Sequence, residues 1–89
     1  MQHWNIRIHG AVQGVFYRDS ARQKAEELGV NGFARNESDG SVYIEAEGTE
    51  QNLKAFLAWC AQGPASANVG KAEPEHSANL KHFSEFRIL

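Results

Sequence analysis

The sequence predicts an α+β fold in which two helices lie across one face of an antiparallel sheet, and three observations carry that prediction. Segments with a period of two and segments with a helical period follow one another in the order strand, helix, strand, strand, helix, strand. Each segment is apolar on one side only, so each asks for a single partner layer. With 89 residues, 42% of them hydrophobic and 22% charged, the chain supplies one modest core, since chains usually divide only beyond roughly 250 residues. Residues 1–89 are therefore read as a single domain.

Residues 3–9 alternate, with Trp4, Ile6 and Ile8 on one side and His3, Asn5, Arg7 and His9 on the other, as a half-buried strand does. A glycine-punctuated stretch from Gly10 to Arg18 leads into Ala21, Ala25 and Leu28 at helical spacing. Asp19 or Ser20 is placed to cap that helix or to put an acid in its first turn, and Gly29 ends it. Val30 to Asn36 and Ser41 to Glu47 read as two strands joined through Asp39-Gly40, which supplies the positive φ of a tight connection. In the second of these, Val42, Ile44 and Ala46 share one face while Tyr43, Glu45 and Glu47 share the other, which implies one covered and one solvated sheet face.

Thr49 suits the N-cap of a second helix whose stripe is Leu53, Phe56, Leu57 and Cys60, and Gly63-Pro64 stops it. The remainder predicts a strand near Asn68 to Glu73, a polar loop through Glu75-His76-Ser77, and a terminal strand with Phe86 and Ile88. This order is the split βαβ pattern of the ferredoxin-like sandwich, βαββαβ. Its core would set Trp4, Ile6, Ile8, Val42 and Ile44 against Ala21, Ala25, Leu28, Leu53, Phe56 and Leu57.

Charge and composition narrow the function classes. A net charge of −2 and a pI near 6.0 give no field for nucleic acid or an anionic membrane. Ser41 to Glu47 is acidic and lacks the basic-aromatic pattern of an RNA-binding strand. One cysteine makes no internal disulfide, no Cys/His pair has structural-zinc spacing, and there is no C-x-x-C for copper. The first residues carry no long apolar run, so the expected setting is the cytoplasm, the expected state a monomer, and no metal or other cofactor is called for.

Gly10 to Arg18 is where chemistry is best placed. It joins a strand to a helix N-terminus, whose free N–H groups and dipole favour an anion. Successive amides from Gln13, Gly14, Val15, Phe16, Tyr17 and Arg18 curled about one point would make a cradle, and the Arg18 guanidinium would add a planar fork for phosphate or carboxylate oxygens. On spacing alone a turn with an exposed arginine is the favoured reading. A nucleotide P-loop does not fit: around Gly70-Lys71, Ala65 stands where its first glycine belongs and Ala72 where its hydroxyl belongs.

The segment Gly10-Ala11-Val12-Gln13-Gly14-Val15-Phe16-Tyr17-Arg18 resembles the first signature of the acylphosphatase family. A second block, Gly32-Phe33-Ala34-Arg35-Asn36-Glu37-Ser38-Asp39-Gly40-Ser41-Val42 running on to Gly48, resembles that family's G-x-x-x-N-x-x-D-G-x-V signature, and Gly63-Pro64 with Ala67 and Val69 echoes its later part. Phe33, Ala34, Asn68 and Gly70 depart mildly from the pattern. The resemblance spans nearly the whole chain. It implies metal-independent hydrolysis of the carboxyl-phosphate bond of a small acyl phosphate, with catalytic Arg18 and Asn36: Arg18 and the Gln13 to Arg18 backbone would hold the phosphoryl group, and Asn36 would position water. A non-enzymatic anion-binding module of the same fold is the competing expectation. Cys60, on an apolar stripe, reads as a packed thiol and not as a nucleophile.

Overall fold

A computed structural model describes all of residues 1–89. The chain runs β1 (Gln2–Ala11), α1 (Tyr17–Leu28), β2 (Asn31–Asn36), β3 (Val42–Gly48), α2 (Glu50–Gln62), β4 (Asn68–Ser77) and β5 (Phe86–Ile88). The strands form one sheet in the order β4-β1-β3-β2-β5. Neighbours among the first four strands are antiparallel, and the short β5 adds to the edge of β2 in parallel, which makes the sheet mixed.

Alternation along β1 and β3 sets the layers. Trp4 faces Ala46, Ile6 faces Ile44 and Ile8 faces Val42 across the ladder, and all six side chains are buried beneath the helices. Ala21 and Ala25 of α1 and Leu53, Phe56 and Cys60 of α2 close on them from above. Burial of each large aliphatic or aromatic side chain contributes roughly 1.5–3 kcal/mol. Leu28 and Leu57, expected in this core, lie at its margin, while Val12, Tyr17, Val30, Ala34 and Phe86 join it. Gly29 ends α1 at φ 70°, and the Thr49 side chain accepts the Asn52 N–H at the start of α2, as their residue types suggested.

Two expectations need correction. β4 does not stop near Glu73 but pairs with β1 as far as Ser77 opposite His3. It is an edge strand with mostly exposed side chains, so its periodicity is faint, and an edge tolerates Pro74. More consequentially, the second sheet face is not solvated at Glu45 and Glu47. Residues 78–85 cross it on their way to β5, leaving Glu45 7% and Glu47 2% exposed. The Glu47 carboxylate accepts the backbone N–H groups of Lys81 and Phe83 and lies 2.7 Å from His3 Nδ1. Tyr43 donates its hydroxyl to Glu45 Oε2 at 2.8 Å. Glu45 Oε1 makes no well-angled hydrogen bond, but the Lys81 ammonium 2.8 Å away compensates its charge.

Candidate active site

The site begins where β1 leaves the sheet. Gly10 passes so close to β4 that a Cβ there would collide with the Asn68 carbonyl, and the β1–β4 register shifts between His9 and Gly10. Gly14 at φ 73° and Phe16 at φ 62° are both left-handed, a combination that bends backbone N–H groups toward a common centre. None of the N–H groups of Gln13, Gly14, Val15 or Phe16 donates to a carbonyl of the chain. The bonded ladder of α1 starts only at Ser20, whose N–H meets Phe16 O at 3.1 Å. Phe16, and neither Asp19 nor Ser20, is the N-cap, and no side chain caps the helix. Asp19 stands in the first turn instead. A serine or aspartate cap would occupy the donors that this end leaves free.

Three anchors hold the loop in that shape. Gln13 Nε2 donates to Glu37 O at 2.7 Å and to Ser41 O at 2.9 Å, tying it to the β2–β3 turn. Ser66 Oγ donates to Val15 O at 2.6 Å. Tyr17 is buried and donates its hydroxyl to Cys60 O at 2.8 Å, joining α1 to α2. Burial drives the Tyr17 phenol far above its ordinary pKa and pushes the Cys60 thiol up to about 12, so neither supplies a proton or a nucleophile near neutrality. The anchoring by Gln13 and Ser66 has no signature in the sequence, because it depends on which carbonyls the fold brings within reach.

Asn36 ends β2 opposite Val42. The turn beyond it is fixed by Asp39, whose carboxylate takes both the hydroxyl and the N–H of Ser41 and is held below its usual pKa by them. Asn36 Oδ1 is buried and has no hydrogen-bond partner. An unpaired buried acceptor costs about 1–3 kcal/mol, so it is an uncommon thing for a fold to keep. Arg18, in the first turn of α1, is steadied from the far end of the chain. β5 continues so that Leu89 N–H meets Ala34 O at 3.0 Å, and Leu89 O then accepts from Arg18 Nη1 at 2.8 Å. One guanidinium N–H of five is used in this bond.

These parts line one cleft of about 230 Å³. Its floor and walls come from Val12, Gly14, Phe16 and Tyr17, with Arg18 and Asp19 on the helix side and Asn36 from β2. Of the residues picked out in the sequence, Gly14, Phe16, Tyr17, Arg18 and Asn36 are thus brought together. Gln13 and Val15 are not among the lining residues. The cleft is smaller than the roughly 300 Å³ at which pockets for drug-sized ligands begin. Donors around a space of that size suit a small anionic group.

Comparison with known proteins places the whole chain in one family. The family model for acylphosphatase matches residues 4–88. An acylphosphatase of Marinobacter nauticus is 44% identical over 84 residues, 94% of this chain and 91% of its own length. One from Methylococcus capsulatus is 43% identical over 89 residues, 100% of this chain and 97% of its own. Among solved structures, the acylphosphatase from Bacillus subtilis superposes with a TM-score of 0.97 at 30% identity, covering 100% of this chain and 99% of that one. With both signatures meeting at one cleft and the likeness running from end to end, the chain belongs to the acylphosphatase family.

Proposed function

We propose that the protein hydrolyses acyl phosphates to a carboxylate and inorganic phosphate, with Arg18 and Asn36 as its catalytic side chains. The observation that carries this reading is that Asn36, whose Oδ1 is buried without a partner, lines the same cleft as Arg18 and a loop of free N–H groups. Family membership supports the reaction class; the roles below are those the family resemblance implies for Arg18, Asn36 and the Gln13 to Arg18 backbone, and the grouping of these residues at one cleft supports them. The single 16-residue core supports treating residues 1–89 as one functional unit.

The phosphoryl group sits in the bowl, its equatorial oxygens accepting from N–H groups between Gln13 and Arg18 and from the Arg18 guanidinium. Leu89 O fixes one edge of that guanidinium and leaves the remaining N–H groups for the anion. A water donates one hydrogen to Asn36 Oδ1, which turns an oxygen lone pair toward phosphorus. As the new P–O bond forms, the bond to the acyl oxygen breaks, and its electron pair leaves on the carboxylate. The water's proton passes to a phosphate oxygen or to solvent. A carboxylic acid of pKa ~4 leaves without protonation at neutral pH, so the reaction asks for no general acid. What it asks for is position and charge balance.

The test is hydrolysis of benzoyl phosphate with EDTA present, comparing the natural protein with Asn36→Ala and Arg18→Ala. Turnover that survives EDTA and is lost in both variants is the expected result. A folded natural protein that binds inorganic phosphate without turning over an acyl phosphate would make the cleft a binding site only.

A further inference from the structure

We infer that Phe16 is the residue through which this site reads the acyl group, and that it favours acyl phosphates whose acyl part is aromatic. The inference rests on the hydrolase reading above and adds a substrate class to it.

Phe16 is 75% exposed although it is among the chain's largest apolar side chains. Its backbone is left-handed, at φ 62° and ψ 25°, a conformation that L-residues with bulky side chains seldom adopt. Folding explains neither fact. An exposed ring gains little from burial, and glycine or asparagine would hold the same conformation with less strain. Gly14, at φ 73° two residues earlier, shows the chain using glycine where only the bend is required. Strain kept at the lip of a ligand cleft points to a side chain wanted there.

The rest of the cleft leaves the task to this ring. A phosphoryl group held in the bowl must project its acyl part through the mouth. Val12 and Tyr17 are each 1% exposed, and Gly14 has no side chain. Arg18, Asp19 and Asn36 are polar. The chain's other exposed large apolar residues, Met1, Leu80 and Leu89, do not line the cleft. Phe16 is therefore the one exposed large apolar side chain among the residues that line the cleft. A flat aromatic ring offers offset or edge contact to another flat apolar group and nothing specific to acetyl or carbamoyl.

The experiment measures kcat/KM for benzoyl phosphate and acetyl phosphate, with EDTA present, in the natural protein and in Phe16→Asn, Phe16→Gly and Phe16→Tyr. Asparagine and glycine keep the left-handed backbone while removing the ring; tyrosine keeps the ring. Taking the ratio within each protein cancels the intrinsic reactivity of the two substrates. The benzoyl-to-acetyl ratio should fall about fivefold in Phe16→Asn and Phe16→Gly, mainly through KM for benzoyl phosphate, and stay at the natural value in Phe16→Tyr. Inhibition by inorganic phosphate, which has no acyl part, reports on the cradle itself. An unchanged ratio in the ring-deleted variants overturns the inference, whether or not both rates fall with weakened phosphate inhibition. A natural protein that hydrolyses neither substrate overturns the hydrolase reading and this inference with it.

Discussion

Two polar regions of this small domain are built on opposite principles. In the cleft between β1 and α1, N–H groups from Gln13 onward lack acceptors and Asn36 Oδ1 is buried without a donor. Across the sheet, beneath residues 78–85, Glu47 is 2% exposed and yet its carboxylate meets two backbone N–H groups and the His3 ring. The second region spends its polar capacity on holding the C-terminal segment against the sheet. The first withholds it, which destabilises the fold slightly and leaves free the donors that the proposed mechanism assigns to a phosphoryl group. The second region's one acceptor without a hydrogen bond, Glu45 Oε1, has the Lys81 ammonium 2.8 Å away, so uncompensated polar capacity, more than burial, is what separates a site from a structural cluster here.

The sharpest way to break this contrast is a reciprocal pair of variants. Asn36→Ala should lower kcat by about 10²- to 10³-fold, in the range for losing one positioned polar group. It removes an unpaired acceptor, so the midpoint of urea unfolding should stay the same or rise. Glu47→Ala should do the reverse, destabilising the protein by about 3 kcal/mol because two N–H groups and His3 lose their shared acceptor. The kcat of its folded fraction should stay near the natural value. If Asn36→Ala were strongly destabilised, or Glu47→Ala folded well but inactive, the division between the regions would be wrong.

A smaller effect tests whether the open region is built for an anion. Lysine in place of Arg18 keeps the charge but replaces a planar fork with a point donor, and it gives up the steadying bond to Leu89 O. Arg18→Lys should lose most activity and bind inorganic phosphate more weakly. Thermal melts read this directly, since phosphate at one hundred times its Kd stabilises a protein by about 2.7 kcal/mol. The phosphate-induced rise in Tm should shrink in Arg18→Lys; a rise equal to that of the natural protein would rule out a clamp.

The element order, both cap residues at Gly29 and Thr49, and the β1–β3 core were legible because they follow from period and local residue chemistry. Position in the sequence also brought out Arg18 and Asn36, through two signatures that converge on one cleft. What escaped was long-range. Alternation correctly set Glu45 and Glu47 on the face away from the helices, but no local pattern announces that residues 78–85 return across it. The cap of α1 misled for a different reason. Asp19 and Ser20 are good capping residues, and this helix keeps its first N–H groups free by starting from a left-handed phenylalanine.

The gentlest probe of the comparison is acid. Burial acts to raise Glu47, but the Lys81 N–H, the His3 ring and the Phe83 N–H outweigh it and hold the carboxyl below its ordinary value of 4.5. At Glu45, burial is likewise outweighed by Lys81 and Tyr43, with His3 adding to the effect. A folded pKa below the unfolded one means that the folded state favours the ionised form. That stabilisation is fully present above pH 4.5 and is lost as pH falls through the lower folded values. Stability from these two groups should therefore be flat from neutrality down to about pH 5 and decline below it. Glu47→Gln, which cannot ionise, should start less stable and then fall less steeply, by up to about 1.4 kcal/mol per pH unit for the one proton removed. Urea titrations between pH 3 and pH 7 measure the two slopes. Asn36→Ala, which deletes no titrating group, should keep the natural slope. Equal slopes for the natural protein and Glu47→Gln would mean that the carboxylate beneath residues 78–85 is not what ties that segment to the sheet.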